Sequence, residues 1–189
     1  MTIPEVGEMA VGLVAAGLPG VILRDHSADD EAFRIRVMDL ADALRMRNPE
    51  VWLAVNARPA AAAAGRAAFH ASSHGPRLEV AIAGLPDGTI TGASVHSSEE
   101  AHEVVSHGCN YLLVAPIYDT GGKKGKGVEL IQEIAEAAPG TPLIALGGIT
   151  PERVGDCLAA GAHGVAVLSG LLESPNPVGS LHDYLSALT

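Results

Sequence analysis

Polar side chains gather where apolar runs stop, and their types name the chemistry. Val21-Ile-Leu23 runs into Arg24-Asp25-His26. Val51 to Val55 ends at Asn56, and Ala67 to Ala71 carries His70 with Ser72 just beyond. Thr89 to Val95 carries Ser94, with His96 next. A loop over 119–127 holds Thr120, Lys123, Lys124 and Lys126 among four glycines. Leu143 to Leu146 stops at Gly147-Gly148, and Val165 to Leu168 stops at Ser169-Gly170. Two consecutive turns free of bulk suit an anion, because glycine lets the backbone come close and N–H groups at a helix start carry partial positive charge. Arginine can grip a carboxylate with two parallel hydrogen bonds. Histidine is the side chain that shuttles protons near neutrality. Three lysines in an acidic chain suggest a lid that closes on an anion.

Each residue also has a plain structural reading. Arg24 could pair with Asp25, and His26 could be a solvated loop residue. His70 could be a satisfied core histidine, and His74 a surface loop residue. Asn56 could bond the turn backbone, and His96 could orient the turn beside Ser97. The lysines could be an exposed charged loop, and the glycine turns ordinary strand-to-helix connections.

The elements that position these residues follow from periodicity. Residues 5–17 have helical composition. Ser27 is the expected cap of a helix reaching Arg47, with Phe33, Val37, Leu40, Ala41 and Leu44 at helical spacing. Pro59 opens another helix, which takes in the alanine run 60–64, and 77–84 reads as a short one. Ser97 with Glu100 three residues on is a capping box. Val128 to Ala138 is helical, and Thr150-Pro151-Glu152 reads as N-cap, first helical position and first turn. Strand and helix alternate throughout, which argues for a parallel sheet. Strand alternation puts Ile22, Arg24 and His26 on one face. The expected fold is a (β/α)8 TIM barrel in which the strand ends form the active face and the last two strands' loops hold phosphate. Seven strand-like runs are clear. The first strand is truncated or missing: Thr2-Ile3 is at most its stump, so either it is lost or the start is misassigned. The exposed seam should be covered by helix 5–17 or by a second copy in a homodimer.

Composition bounds the rest. The 189 residues suggest a single domain, 1–189, and 48% hydrophobic residues supply an ample core. Twelve basic against 22 acidic residues give a net charge of -10, which disfavours nucleic acid or an anionic membrane surface as partner. Cys109 and Cys157 lack metal or redox spacing and read as buried thiols. The start shows no signal peptide, and no apolar run is long enough to cross a bilayer. The expected location is cytoplasmic.

Four stretches carry a resemblance: Gly92-Ala-Ser94-Val-His96-Ser97, Tyr111 through Lys124, Ile144-Ala-Leu-Gly147-Gly148-Ile149, and Gly161 through Gly170. They resemble the thiamine phosphate synthase superfamily, specifically over 89–172 and more weakly back to Val21. The superfamily includes thiazole tautomerases, and both branches are (β/α)8 barrels that handle a phosphorylated thiazole. The resemblance implies that Gly147, Gly148, Leu168, Ser169 and Gly170 hold its phosphate. It implies that Arg24, Asn56, Ser94, Thr120 and Lys123 bind substrate.

The synthase joins hydroxymethylpyrimidine diphosphate to thiazole phosphate and releases pyrophosphate. Here Ile22 and His26 replace the glutamine and lysine of its Gln-x-Arg-x-Lys motif, Gly122 replaces a threonine, and Ala57 and Gly75 stand where two metal-binding aspartates are expected. Magnesium usually bridges diphosphate to one or two carboxylates. The resemblance therefore implies a metal-independent tautomerase-like enzyme, with His26 and then His70 as proton carriers and no cofactor. The expected histidine of that branch is Pro116 here. The alternatives are a synthase using Mg2+, with Asp25 or Asp119 recruited as ligand, and a non-catalytic phosphate-ligand binding or regulatory protein.

Overall fold

Short runs of Val, Ile, Leu and Ala alternate with stretches that are apolar every third or fourth residue, and the chain resolves into strands and helices at those boundaries. The computed structural model describes residues 3–72 and 75–189. Two compact units, Met1–Thr91 and Gly92–Thr189, divide the chain.

The first unit runs α1 (Ile3–Ala15), β1 (Gly20–Leu23), α2 (Asp30–Arg47), β2 (Trp52–Asn56), α3 (Pro59–Ala64), β3 (Ala68–Ala71) and α4 (Leu78–Ile82). β1 pairs with β2 and β2 with β3, all parallel. Helix α2 buries Phe33, Val37, Ala41 and Leu44, the stripe expected from spacing, while Leu40 is half-buried. Burying such a side chain is worth roughly 1.5–3 kcal/mol. Gly65 ends α3 where an added Cβ would lie 2.6 Å from the Val37 side chain, so α3 packs tightly on α2.

The expected cap of α2 is corrected. Asp29, not Ser27, caps it, accepting from the Ala32 N–H at 2.8 Å. Ser27 instead donates through its N–H and hydroxyl to Asp25 Oδ1, at 2.8 and 2.7 Å. An aspartate two residues ahead is a ready acceptor for a local turn, and it wins the serine. No first strand precedes α1 among the described residues, because Ile3 is already helical. Thr2 and His74 lie outside the described residues.

The second unit runs β4 (Thr91–Val95), α5 (Ser98–Ser106), β5 (Tyr111–Val114), α6 (Glu129–Ala137), β6 (Leu143–Leu146), α7 (Pro151–Ala159), β7 (Gly164–Ala166), α8 (Ser169–Leu172) and α9 (Pro177–Ala187). β4, β5, β6 and β7 pair in that order, all parallel. Leu112, Val114, Ile131, Ile134, Leu143, Ala145, Val154 and Cys157 form its core. Both cysteines are buried free thiols, as expected.

Seven parallel strands alternating with helices place the chain in the (β/α) class, with no strand ahead of α1 among the described residues. The terminal strands β1 and β7 are half-buried along their length, whereas β3 and β5 are buried throughout. No described helix is long and apolar enough to cross a membrane.

Candidate functional site

In the second unit the β6 loop is set by its two glycines. Gly147 and Gly148 have φ of 107° and 62°, a region where glycine is at ease and other residues are strained. The positions a Cβ would take are also filled. At Gly147 it would lie 3.0 Å from Pro116 Cα, and at Gly148 2.6 Å from the Asp119 carbonyl oxygen. The loop therefore lies flat against segment 116–119. The carbonyls of Gly147, Gly148 and Ile149 are each held by a donor: Tyr118 N–H at 2.9 Å, Arg153 Nη1 at 2.7 Å and Tyr184 Oη at 2.9 Å. The N–H groups of Gly148, Ile149 and Thr150 meet no protein acceptor among the described residues. Successive free N–H groups in a turn make an anion-binding concavity.

The β7 loop lies on the neighbouring strand, paired with β6 in the register Leu146↔Ala166. Leu168 and Ser169 are exposed and Gly170 half-buried. Ser169 opens α8, and the N–H groups of Ser169 and Gly170 also lack a protein acceptor among the described residues. Thr150 occupies the N-cap of α7 but makes no side-chain cap bond, and Pro151 takes the first helical position as expected.

The lysine loop folds back on itself in a hairpin turn. Thr120 and Lys123 exchange two backbone hydrogen bonds, 3.0 and 2.8 Å, around Gly121 and Gly122. Both glycines have positive φ, 53° and 75°, the signature of a tight hairpin turn. That explains glycine at 122. Lys126 is engaged: its Nζ donates to the His96 carbonyl at 2.6 Å. Lys123 and Lys124 are exposed. Ser94 is half-buried in β4, aligned with Leu113. His96 Nδ1 bonds the Ala115 carbonyl at 2.5 Å, so this histidine orients the turn. The Ser97 box is a variant, since the Glu100 carboxylate reaches past the cap to the His96 N–H. A concavity of about 360 Å³ between the starts of α5 and α6, lined by His96, Lys126, Glu99 and Glu133, lies apart from the glycine loops. Its two carboxylates make it a poor anion site.

In the first unit Arg24 and His26 are exposed, and Arg24 Nε donates to His26 Nε2 at 2.6 Å. An imidazole accepting at Nε2 carries its proton on Nδ1. Asp25 does not pair with Arg24. It accepts from Ser27, from the Ala28 N–H and from Arg36 at 3.0 Å. The Ser27 bonds, with Arg36 adding to them, hold its carboxyl below the usual range. Arg58 pins the same loop by donating to the carbonyls of Asp25, Ala28 and Asp29 while stacking on Phe33 at 4.5 Å. Asn56 is buried, aligned with His70 across β2 and β3. His70 is 1% exposed, and burial, helped by the Arg24 charge, lowers its pKa to about 4. It is therefore neutral at pH 7 and far from the range a shuttle needs. A groove of about 520 Å³ in this unit lies at the opposite, N-terminal ends of β2 and β3.

The two positions of the expected metal aspartates do not fit a metal. They hold Ala57 and Gly75, which offer no side-chain oxygen, and a Cβ at Gly75 would lie 2.7 Å from the Ala57 Cβ. The recruits are committed elsewhere: Asp25 as above, and Asp119 Oδ1 to the Gly125 N–H at 2.7 Å. No described group of three His, Cys, Asp or Glu is placed to hold a metal.

Sequence reasoning missed Arg153 and Tyr184. Arg153 had a local signal, a cation three residues after a helix cap and five after Gly148. Tyr184 had none, being 35 residues from its partner.

The family model described as thiamine monophosphate synthase matches residues 5–171. The thiamine-phosphate synthase of Mycolicibacterium smegmatis is 30% identical over 98% of this chain and 86% of that protein. That of Synechocystis sp. is 32% identical over 92% of this chain, which spans 51% of that longer relative. Among solved structures, thiamine phosphate pyrophosphorylase from Pyrococcus furiosus superposes with a TM-score of 0.87 at 24% identity, covering 96% of this chain and 88% of that one, a likeness of fold. A family model over most of the length and a relative aligned nearly end to end carry one conclusion: the chain belongs to the thiamine monophosphate synthase family.

Proposed function

We propose that the chain binds a phosphorylated thiazole and serves thiamine biosynthesis. The carrying observation is the run of three unpartnered N–H groups at Gly148, Ile149 and Thr150, beside those of Ser169 and Gly170. Leu168 flanks that second pair, and Ser94, Thr120 and Lys123 are the second unit's other ligand-binding residues in this reading.

Kinship puts the joining reaction first. The relatives aligned along nearly the whole chain are named thiamine-phosphate synthase, which supports the union of hydroxymethylpyrimidine diphosphate with thiazole phosphate and release of pyrophosphate. Arg24 and Lys123 supply positive charge to anionic groups in this reading, and Asn56 contacts substrate. No step runs through a metal, because the residues at 57 and 75 do not fit one.

A second reading is favoured by those same two positions and by the Arg24–His26 pair. It is a tautomerase-like isomerisation of a thiazole carboxylate phosphate, which needs no metal. Arg24 grips a carboxylate through its terminal nitrogens. As Arg24 turns to it, His26 Nε2 is released to take a proton, and Nδ1–H is available to return one.

One experiment separates the readings. Proton NMR follows thiazole phosphate and its non-aromatic isomer, with and without the pyrimidine diphosphate and Mg2+. Pyrophosphate and a new pyrimidine–thiazole bond support the first; aromatisation with EDTA present supports the second. Saturable phosphate-ligand binding with neither product overturns both and leaves a binding protein.

A further inference from the structure

The free N–H groups of the β6 loop are held in place from the carbonyl side. In a trans peptide the N–H and C=O point to opposite sides. The described chain has one cis bond, Ala115–Pro116, so the peptides of 147–150 are trans. Each donor on a carbonyl therefore fixes the direction of the next residue's N–H. Tyr118 N–H fixes Gly148, Arg153 Nη1 fixes Ile149, and Tyr184 Oη fixes Thr150.

The two side-chain donors are themselves anchored. The Arg153 guanidinium lies 4.4 Å from the Tyr118 ring centroid, which stops it swinging away. Tyr184 is buried on α9, and desolvation with the nearby Glu152 charge raises its pKa, so it stays a neutral donor. Helix α9 also reaches the β7 loop: Ser180 Oγ donates to the Gly170 carbonyl at 2.7 Å, and the Tyr184 hydroxyl fills the place a Cβ on Gly170 would take. One helix thus braces both loops. It lies beyond residue 171, where the family match ends.

We propose that Arg153 and Tyr184 are positioning residues that aim the Ile149 and Thr150 N–H groups at a bound phosphate, and that α9 is part of the phosphate site. This rests on the phosphate reading above. Neither side chain touches the ligand. They act by denying two peptides the freedom to rotate, so the entropy of ordering the loop is met by the fold before the anion arrives.

The test is a proton–nitrogen correlation titration of the full chain with inorganic phosphate. In the unaltered protein the Gly148, Ile149 and Thr150 amides should shift together. Tyr184→Phe removes one hydroxyl and should weaken phosphate binding about three- to tenfold, the scale of one lost hydrogen bond. The Thr150 response should fall most while that of Gly148 persists. Arg153→Met should do the same at Ile149, and Arg153→Lys should recover part of it. Because Arg153 is exposed, its variants fold even if Tyr184→Phe does not. Equal affinity with an unchanged amide pattern in both variants overturns the inference and leaves the phosphate reading standing. No response at these amides in the unaltered protein overturns the phosphate reading and this inference with it.

Discussion

The loop after β6 and the loop after β1 are built in opposite ways. The β6 loop works with backbone. Its glycines lie against segment 116–119, three of its carbonyls are held, and its N–H groups are left outward. The β1 loop works with side chains, an exposed arginine bonded to an exposed histidine, on a turn pinned by Asp25 and Arg58. A backbone site depends on conformation, so it persists while the packing around it persists. A side-chain site depends on residue identity and changes character with each substitution. In the resemblance drawn from the sequence, Gly147, Gly148 and Ser169 match the family pattern, while Ile22, His26, Ala57, Gly75 and Gly122 depart from it.

The largest effect should come from the side-chain site. If the isomerisation reading holds, His26→Gln should lower turnover by about 10²–10⁴-fold with ligand affinity kept, since general acid–base catalysis is typically worth that much. If the joining reaction holds, the same variant should release pyrophosphate within a few-fold of the unaltered rate. Steady-state NMR assays of both reactions decide between the loops as the seat of chemistry.

Gly148→Ala should break the backbone site. The residue would sit at φ 62°, with its Cβ 2.6 Å from the Asp119 carbonyl oxygen and 2.9 Å from Tyr118 Cβ. Strain and overpacking of this kind together cost about 2–4 kcal/mol. Thermal unfolding should show that loss, and calorimetric titration should show phosphate affinity reduced more than tenfold. An alanine tolerated here with full affinity would mean the loop is not held as described.

His70 sharpens the comparison from the buried side of the first unit. Its folded pKa is about 4 against 6.5 for the free side chain. The unfolded chain therefore binds more protons between these values. The stabilising contribution of the neutral ring is whole above pH 6.5 and is lost as pH falls to 4, about 3 kcal/mol in all. Urea denaturation across that window should show the slope, and His70→Gln should flatten it. An unchanged slope in the variant would place the acid sensitivity elsewhere.

Most of the scaffold was legible because its signals are local. The apolar stripe Phe33, Val37, Ala41, Leu44, the Pro59 and Pro151 starts, and the glycine stops are all set within a few residues. Ser27 was misread because two nearby aspartates compete for the same turn, and sequence does not say which oxygen wins. The hairpin turn in the lysine loop was not legible, because φ at Gly121 and Gly122 is invisible in a sequence. The Gly147-Gly148 turn was legible, but what holds it was not. The donors that set the N–H directions come from Tyr118, Arg153 and Tyr184, and the last is brought in by tertiary packing alone. Asn56 and His70 were each singled out near strand ends, yet only burial shows that His70 is held neutral.

The smallest expected effect is a response that should not return. Placing carboxylates at the two positions where the resemblance expects them, with Ala57→Asp and Gly75→Asp together, tests whether the first unit carries the frame of a metal site. Position 57 has φ 61°, which aspartate tolerates better than alanine, so the first change should be nearly neutral. Position 75 differs. A Cβ there would lie 2.7 Å from the Cβ at 57 and 3.1 Å from its Cα, closer than real side chains pack. The loop must shift to admit the second aspartate, at about 1–3 kcal/mol, so the two carboxylates are not expected to meet at a common centre. Calorimetric titration of the double variant with Mg2+ and inorganic pyrophosphate should match the unaltered chain. Tight Mg2+-dependent pyrophosphate binding in the double variant would show that only residue identity was lost. It would also mean that the two loops differ less than their present contacts imply.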